Sequence, residues 1–374
     1  MLFKDVIGNK SLKKFLVNSI DSEKVSHCQL FSCYQGSGGL PMAIAYARKI
    51  ISKQSSDPVS CNKMIANLTH PDLHFVFPVI NTVSNKTKAI SSNYLTIWRD
   101  FVFSNPYSGL YDWYSFAGFE KKQGKIGVDE AENLVKKMNL KSYCGGWKCA
   151  IIWMVEKINP VAANKLLKLI EEPPKKTLFI FITENENSLL ETLKSRCLLV
   201  NFNKISFSEI EKALIARGIS SPLASKAAIS SGGDFSAAIS IANGDLASSK
   251  FEDWFQSWVR LAFKVKGNIG SVLGILDWSK KISLSGKEVQ KSFLLFSLEL
   301  FRQAYLTNSG LKNITTYKSN SDFNFQKFSD YISNTNIEDI FFELEKAYKS
   351  IESNGNSNMI FTDLSLKLTR LIHR

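Results

Sequence analysis

No run of about 18 or more uncharged apolar residues occurs in the 374-residue chain, so a membrane-spanning helix is not expected. The first residues, Met1-Leu2-Phe3-Lys4-Asp5, hold neither an apolar core nor a cleavage site, and export is not expected either. No two of the six cysteines, at 28, 33, 61, 144, 149 and 197, form a C-x-x-C pair. Four of them make two C-x4-C spacings, but Cys28, Cys33 and Cys149 lie in or beside buried-strand patterns, where cysteine acts as a small hydrophobe. The set is therefore read as reduced core thiols of a cytoplasmic protein. Nor are the basic residues massed in a tail. The 47 Lys+Arg against 34 Asp+Glu give +13 and an isoelectric point near 9.3, spread along the chain. Such a balance suits work near a polyanion such as DNA without showing base recognition.

The length leaves room for two or three domains, and 44% apolar residues suffice for ordinary cores. The most informative stretch is 148–202. Residues 149–155 are short, apolar and rich in branched and aromatic side chains, as in a strand buried on both faces of a parallel sheet. Asn159 is a good helix N-cap and Pro160 a good first helical residue, since proline there loses no hydrogen bond the helix could have made. Leu166, Leu167 and Ile170 recur at helical spacing until Glu171-Glu172-Pro173-Pro174 ends the run. A second buried strand is expected over 177–183, a short helix over 189–193 and a third strand over 198–202. Strand, helix, strand at these lengths predicts a parallel βαβ unit.

The run Asn164-Lys165-Leu166-Leu167-Lys168 to Pro174, followed about twenty residues on by Ser195-Arg196-Cys197, resembles the gamma/tau and delta-prime clamp-loader subunits of bacterial DNA polymerase III. These belong to the AAA+ superfamily. Ile126-Gly127-Val128-Asp129, a helix to Met138 with Ala131, Leu134, Val135 and Met138 on one face, and Tyr143-Cys144-Gly145-Gly146-Trp147-Lys148 continue the likeness. It implies an α/β fold: a P-loop-type parallel sheet core over 1–203 with an insertion at about 79–124, a helical lid over 204–245 and an all-α collar over 246–374. Val6-Ile7-Gly8 stands where the family lays a short segment against adenine.

The phosphate-binding residues decide between the two kinds of subunit. After a strand expected over 28–32 comes Cys33-Tyr34-Gln35-Gly36-Ser37-Gly38-Gly39-Leu40, then a helix over 41–51. A working loop, G-x-x-x-x-G-K-[ST], wraps phosphates with backbone N–H groups, reaches them with Lys and holds magnesium with its hydroxyl. On that frame Cys33 replaces the first glycine, Gly38 keeps the second, Gly39 replaces the lysine and Leu40 the hydroxyl, while Gly36 lies between. At the end of the 149–155 strand, Trp153 and Met154 stand where the family's two acids would hold magnesium and position water. Glu156, three residues past Trp153, is not read as a substitute. Ser236 stands where an arginine of active relatives would touch the γ-phosphate. The expected cofactor is therefore none.

Residues 53–69 stand where many relatives carry four cysteines on a structural zinc, but only Cys61 remains. Cys61, His70 and His74 supply at most three ligands, His70 reads as a turn residue and His74 as a strand residue, and no metal is expected. A strand is expected over 73–78. The insertion that follows is read as irregular, its aromatics Tyr94, Trp98, Phe101, Phe103, Tyr107, Tyr111, Trp113, Tyr114, Phe116 and Phe119 forming a private mini-core rather than a base-stacking platform. Short helices are expected over 208–216, 222–229 and 235–242. Beyond 250, Phe251, Trp254, Phe255, Trp258, Leu261 and Ala262 share one helix face, Phe293, Leu294, Phe296, Leu300 and Phe301 another, and Ile337, Ile340, Phe341, Leu344 and Tyr348 a third.

One family contribution to catalysis survives. Arg196 occupies the place of the arginine that reaches across a subunit interface to a neighbour's γ-phosphate, a finger worth about 10³ to 10⁵ in rate where it acts. Its always-charged planar fork suits that task, while a plain reading makes it a cap of the short helix before it. Together these features imply a non-hydrolysing, delta-prime-like subunit. Its expected partners are gamma/tau and delta subunits, the sliding clamp indirectly and primed DNA through the complex. The rivals are an ATP-hydrolysing gamma/tau-type subunit with an atypical loop and a zinc-containing DNA-binding module.

Overall fold

The computed structural model describes residues 1–53, 57–80, 88–119, 122–243, 247–265, 270–311, 315, 317 and 323–374. Two compact units divide it, Met1–Phe119 with Gly124–Ile239, and a second built on Ser240–Arg374.

The first unit carries five parallel strands, β1 (Cys28–Ser32), β2 (Leu73–Val76), β3 (Lys148–Trp153), β4 (Thr177–Thr183) and β5 (Leu198–Asn201), in the order β2-β3-β4-β1-β5. β3 and β4 are buried along their whole length. Their side chains alternate between two cores, as the two-residue period of a strand requires. Cys149, Ile151 and Trp153 join Leu178, Ile180 and Ile182 in one. Ala150 and Ile152 join Phe179 and Phe181 in the other. The expected α/β class and the βαβ unit are both present.

Among the described residues, eleven α-helices belong wholly or mainly to this unit: α1 (Lys10–Asp21), α2 (Gly39–Lys53), α3 (Pro58–Ala66), α4 (Leu95–Ser104), α5 (Leu110–Phe116), α6 (Val128–Asn139), α7 (Pro160–Glu171), α8 (Glu191–Lys194), α9 (Phe207–Ile215), α10 (Ser221–Ser230) and α11 (Phe235–Asn243). α7 starts as its sequence dictates, with Asn159 Oδ1 accepting the Val161 N–H at 2.9 Å and Pro160 at the first helical position. Three expectations need correction. β3 stops at Trp153 rather than 155, because Met154 takes a left-handed conformation (φ 55°) that breaks the ladder. The strand expected over 73–78 ends at Val76. The insertion is not irregular where it is described: Trp98, Phe101 and Val102 recur at helical spacing and bury together in α4, as do Leu110, Trp113 and Tyr114 in α5. Positions 81–87 and 120–121 of the insertion lie outside the described residues.

The second unit is helical, with α12 (Ala247–Lys264), α13 (Ser271–Ser283), α14 (Lys287–Asn308), α15 (Phe325–Ser329), α16 (Ile337–Glu352) and α17 (Ser357–Leu371). Its core is aromatic. Trp258 stacks on Trp278 with centroids 5.1 Å apart and donates its indole N–H to Ser365 Oγ at 2.8 Å. No described helix is long and apolar enough to cross a membrane.

Candidate functional site

The loop 33–40 joins β1 to α2, the place where a parallel α/β sheet offers backbone N–H groups and a helix N-terminus to an anion. Gly36 (φ 66°) and Gly38 (φ 93°) adopt left-handed conformations that favour glycine, so the turn from β1 into α2 depends on both. The side chains around it do not supply the chemistry of a phosphate loop. A β-carbon on Gly39, the position that the resemblance gives to the lysine, would collide with Cys33 Sγ, so the thiol fills the space that a side chain there would need. Burial pushes that thiol well up, with the nearby carboxylates of Glu184 and Glu156 adding to it, so Cys33 stays a neutral packing group. Leu40 is buried and offers no hydroxyl.

The loop is also covered. Asp234, at the N-terminus of α11, presses its carboxyl on Gly36, while Phe235 N–H donates to Gly36 O at 3.3 Å. Burial pushes the Asp234 carboxyl up to about 6, with Ala237 N–H opposing and Asp112 reinforcing the rise. A carboxyl group here repels the anion that such a loop would otherwise attract. Tyr107, between α4 and α5, lies 3.0 Å from the place of a Gly38 β-carbon and accepts the Ile7 N–H on its hydroxyl at 2.7 Å. Its ring meets Phe235 edge-on at 4.9 Å, and Arg217 caps Phe235 at 4.7 Å. Asn105 donates to Ser236 Oγ at 3.1 Å. Residues of the insertion and of 234–236 thus close over the segment and the loop that the resemblance assigns to adenine and phosphate.

The positions that the resemblance gives to the two acids are filled in the same manner. Trp153 packs in a ring cluster with Trp98 and Phe101, whose centroids are 5.1 and 6.1 Å away. Met154 is buried in the same core. Glu156 lies apart from that cluster: its carboxyl accepts the Glu184 N–H at 3.2 Å and burial raises it above the usual carboxylate range.

Arg196 lies elsewhere, after α8 at the start of the turn into β5. Its Nε donates to Glu171 Oε1 at 2.6 Å, its Nη2 meets the same oxygen at 2.5 Å, and its Nη1 donates to Thr192 O at 2.8 Å. The guanidinium side chain keeps 36% of its surface exposed.

The histidines do not pair as candidate ligands. His74 sits in β2, where burial and the charge of Lys137 push its imidazole down to about 4. His70 instead faces Cys61 and Cys144, with Nε2 3.4 and 3.5 Å from their sulfurs. Cys144 is a neighbour that the sequence reading did not count. Ligand atoms of His70, Asp72 and Cys144 lie within 4.8 Å of one another, a spacing that could hold an ion. The hydrogen bonds argue otherwise. His70 Nδ1 accepts the Asp72 N–H at 3.0 Å, so the ring proton sits on Nε2, the nitrogen that would have to be bare to bind metal. Both Asp72 oxygens are taken by Tyr143 N–H, Cys144 N–H and Ser142 Oγ–H at 2.8 to 3.1 Å. These residues do not fit a zinc ion. They tie α3 and the start of β2 to the loop before β3.

Residues 8–206, more than half of the chain, match a family model described as DNA polymerase III, delta subunit. The chain belongs to this family. A Bacillus subtilis (strain 168) protein named DNA polymerase III subunit delta′ is 28% identical over 215 residues, 56% of this chain and 52% of that protein. The Escherichia coli (strain K12) subunit delta′ is 39% identical over 90 residues, 24% of this chain and 26% of that one. The Bacillus subtilis subunit tau is 25% identical over 210 residues, 56% of this chain and 30% of that one. The matched stretch spans about half or less of the length of these relatives.

Proposed function

We propose that the chain is a non-hydrolysing, delta′-type subunit of a DNA polymerase III clamp loader. The observation that carries this reading is the covered loop: Cys33 in the space that a side chain on Gly39 would need, with Asp234 and Tyr107 lying over the glycines. A site that must take an anion with magnesium does not place a carboxyl on its own cradle. Arg196 is the catalytic contribution left, an arginine finger completing the ATP site of a neighbouring subunit, since it keeps both its fork and its exposure while the positions for the lysine, the hydroxyl, both acids and the γ-phosphate arginine of its own chain hold other residues.

In this reading, residues 1–203 form the core, 204–245 the lid and 246–374 the collar through which the subunit joins gamma/tau and delta subunits. Exposed Leu273, Leu284, Phe342 and Met359 give the helical region apolar surface for such an assembly. The complex would work in the cytoplasm, placing the sliding clamp on primed DNA, and the +13 charge suits the neighbourhood of that polyanion.

A titration of the full chain with a fluorescent ATP analogue and magnesium, carried to millimolar concentration, tests the reading. No saturable binding is expected. Tight, magnesium-dependent binding would overturn it in favour of an ATP-hydrolysing gamma/tau-type subunit with an atypical loop.

A further inference from the structure

Two cysteines outside both the covered loop and the His70 tie stand side by side. Cys28 opens β1, and Cys197 immediately precedes β5. The two strands pair in parallel with Gln29 opposite Leu198, which sets Cys28 and Cys197 side by side one step earlier in the ladder. Neighbouring strands run about 4.8 Å apart, within the roughly 4.4 to 6.8 Å between α-carbons that a disulfide spans. The two sulfurs are 2.7 Å apart. Cys28 is fully buried and Cys197 half-buried, so a small reagent meets Cys197 first. The other four cysteines are placed differently. Cys33 and Cys149 are buried thiols, the first against Gly39 and the second inside β3, and Cys61 and Cys144 both face His70.

We propose that Cys28 and Cys197 are an oxidation site, closing to a reversible intramolecular disulfide when hydrogen peroxide reaches Cys197. The Cys197 thiolate attacks one peroxide oxygen; the S–O bond forms, the O–O bond breaks, and the departing hydroxide takes up a proton as water. The Cys28 sulfur then attacks the Cys197 sulfenic acid. The S–S bond forms, the S–O bond breaks, and the leaving hydroxide carries away the Cys28 proton as a second water. Two thiols lose two electrons in all, and the peroxide gains them. Contact with Cys197 and burial push the Cys28 thiol up, so it holds its proton until the leaving group accepts it. The product ties the residue after Arg196 to the neighbouring strand β1, a link that a dithiol reopens by exchange.

The test uses the reduced full chain treated with hydrogen peroxide in its native state, then alkylated in denaturant and digested without reductant. The free-thiol count should fall from six to four. A linked peptide pair holding Cys28 and Cys197 should appear in the mass spectrum, and dithiothreitol should restore all the thiols. In Cys197→Ser the link should be absent and the other thiols retained. In Cys28→Ala, Cys197 should instead be trapped as a dimedone adduct of its sulfenic acid. Should Cys28→Ala fail to fold, the half-buried Cys197→Ser carries the comparison alone. Loss of thiols at Cys61 or Cys144 without the Cys28–Cys197 link, a link found only between two chains, or no thiol loss would overturn the proposal.

Discussion

The indole of Trp153 lies 5.1 Å from that of Trp98, centroid to centroid and tilted by 53°. One ring ends the strand where the family places its magnesium-binding acid, and the other belongs to the insertion. The position that the family's frame gives to an acid therefore belongs to the insertion's own core: Trp98 and Phe101 pack on the Trp153 ring, and Trp113 packs on both of them. Restoring an acid should consequently harm the fold without restoring chemistry. Trp153→Asp would leave a cavity and an unpaired carboxyl among aromatic rings, a loss of about 3 to 5 kcal/mol. Urea unfolding measures the cost, and nucleotide titration of the same variant should stay flat. A stable variant that binds ATP with magnesium would refute the account.

Cys33 and Gly39 should be coupled for a steric reason. Gly39→Lys alone drives a side chain into the Cys33 sulfur, whereas Cys33→Gly with Gly39→Lys opens the room that a lysine needs. A double-mutant cycle on unfolding free energy should give an interaction of about 1 to 3 kcal/mol, with the double variant less destabilised than the sum of the singles. Additive losses would mean that the thiol does not hold the lysine's place. Even the double variant should not bind ATP tightly, since Asp234 and Tyr107 still lie on the loop.

Asp234 makes stability depend on pH. Its folded-state carboxyl titrates near 6, above the range of an unfolded aspartate, chiefly because it is buried. Between about pH 4 and 6 the folded state thus binds the extra proton, and stability falls as pH rises through that window. Above it both states are ionised and the whole cost, up to about 3 kcal/mol, is present. Asp234→Asn keeps an oxygen for the Ala237 N–H, now 3.0 Å away, and removes the charge. The variant should therefore be more stable than the parent at pH 7.5 and little different at pH 4. Thermal unfolding at the two values decides, and equal shifts at both would sink the assignment.

Much of this architecture is legible in the sequence because its signals are local. Residues 177–183 were bounded by their apolar run alone, and β4 is Thr177–Thr183. The Asn159-Pro160 start of α7 is likewise a matter of two adjacent residues. The replaced loop residues could be named from a frame of eight positions, 33–40. What covers the loop could not, because Tyr107 and Asp234 reach it from far along the chain and no spacing rule connects them to Gly38 and Gly36. The signal available for Asp234 was its place after Gly232-Gly233 and before α11, an N-cap position that aims a carboxyl at whatever lies ahead of the helix. Cys144 escaped notice as a neighbour of His70 for the same reason, since 74 residues separate them.

In the proposed reading the assembled complex should depend on Arg196 and not on the ion pair that it makes with Glu171. A finger must leave its own chain to reach a neighbour's phosphate, and here the guanidinium is held by Glu171 and by Thr192 O. The hold is weak enough to release: the pair is partly exposed, 36% and 46% for the two side chains, and such pairs are worth about 1 kcal/mol or less. Arg196→Ala should therefore leave the unfolding midpoint nearly unchanged while lowering the DNA- and clamp-stimulated ATPase of the assembled loader by about tenfold or more. Arg196→Lys should not rescue the rate, because a single ammonium lacks the planar fork. Glu171→Gln, which frees the arginine without removing it, should leave the rate unchanged or raise it. If Glu171→Gln lowered ATPase as much as Arg196→Ala, the ion pair itself would be what matters, and Arg196 would be a structural clasp on α7 rather than a finger.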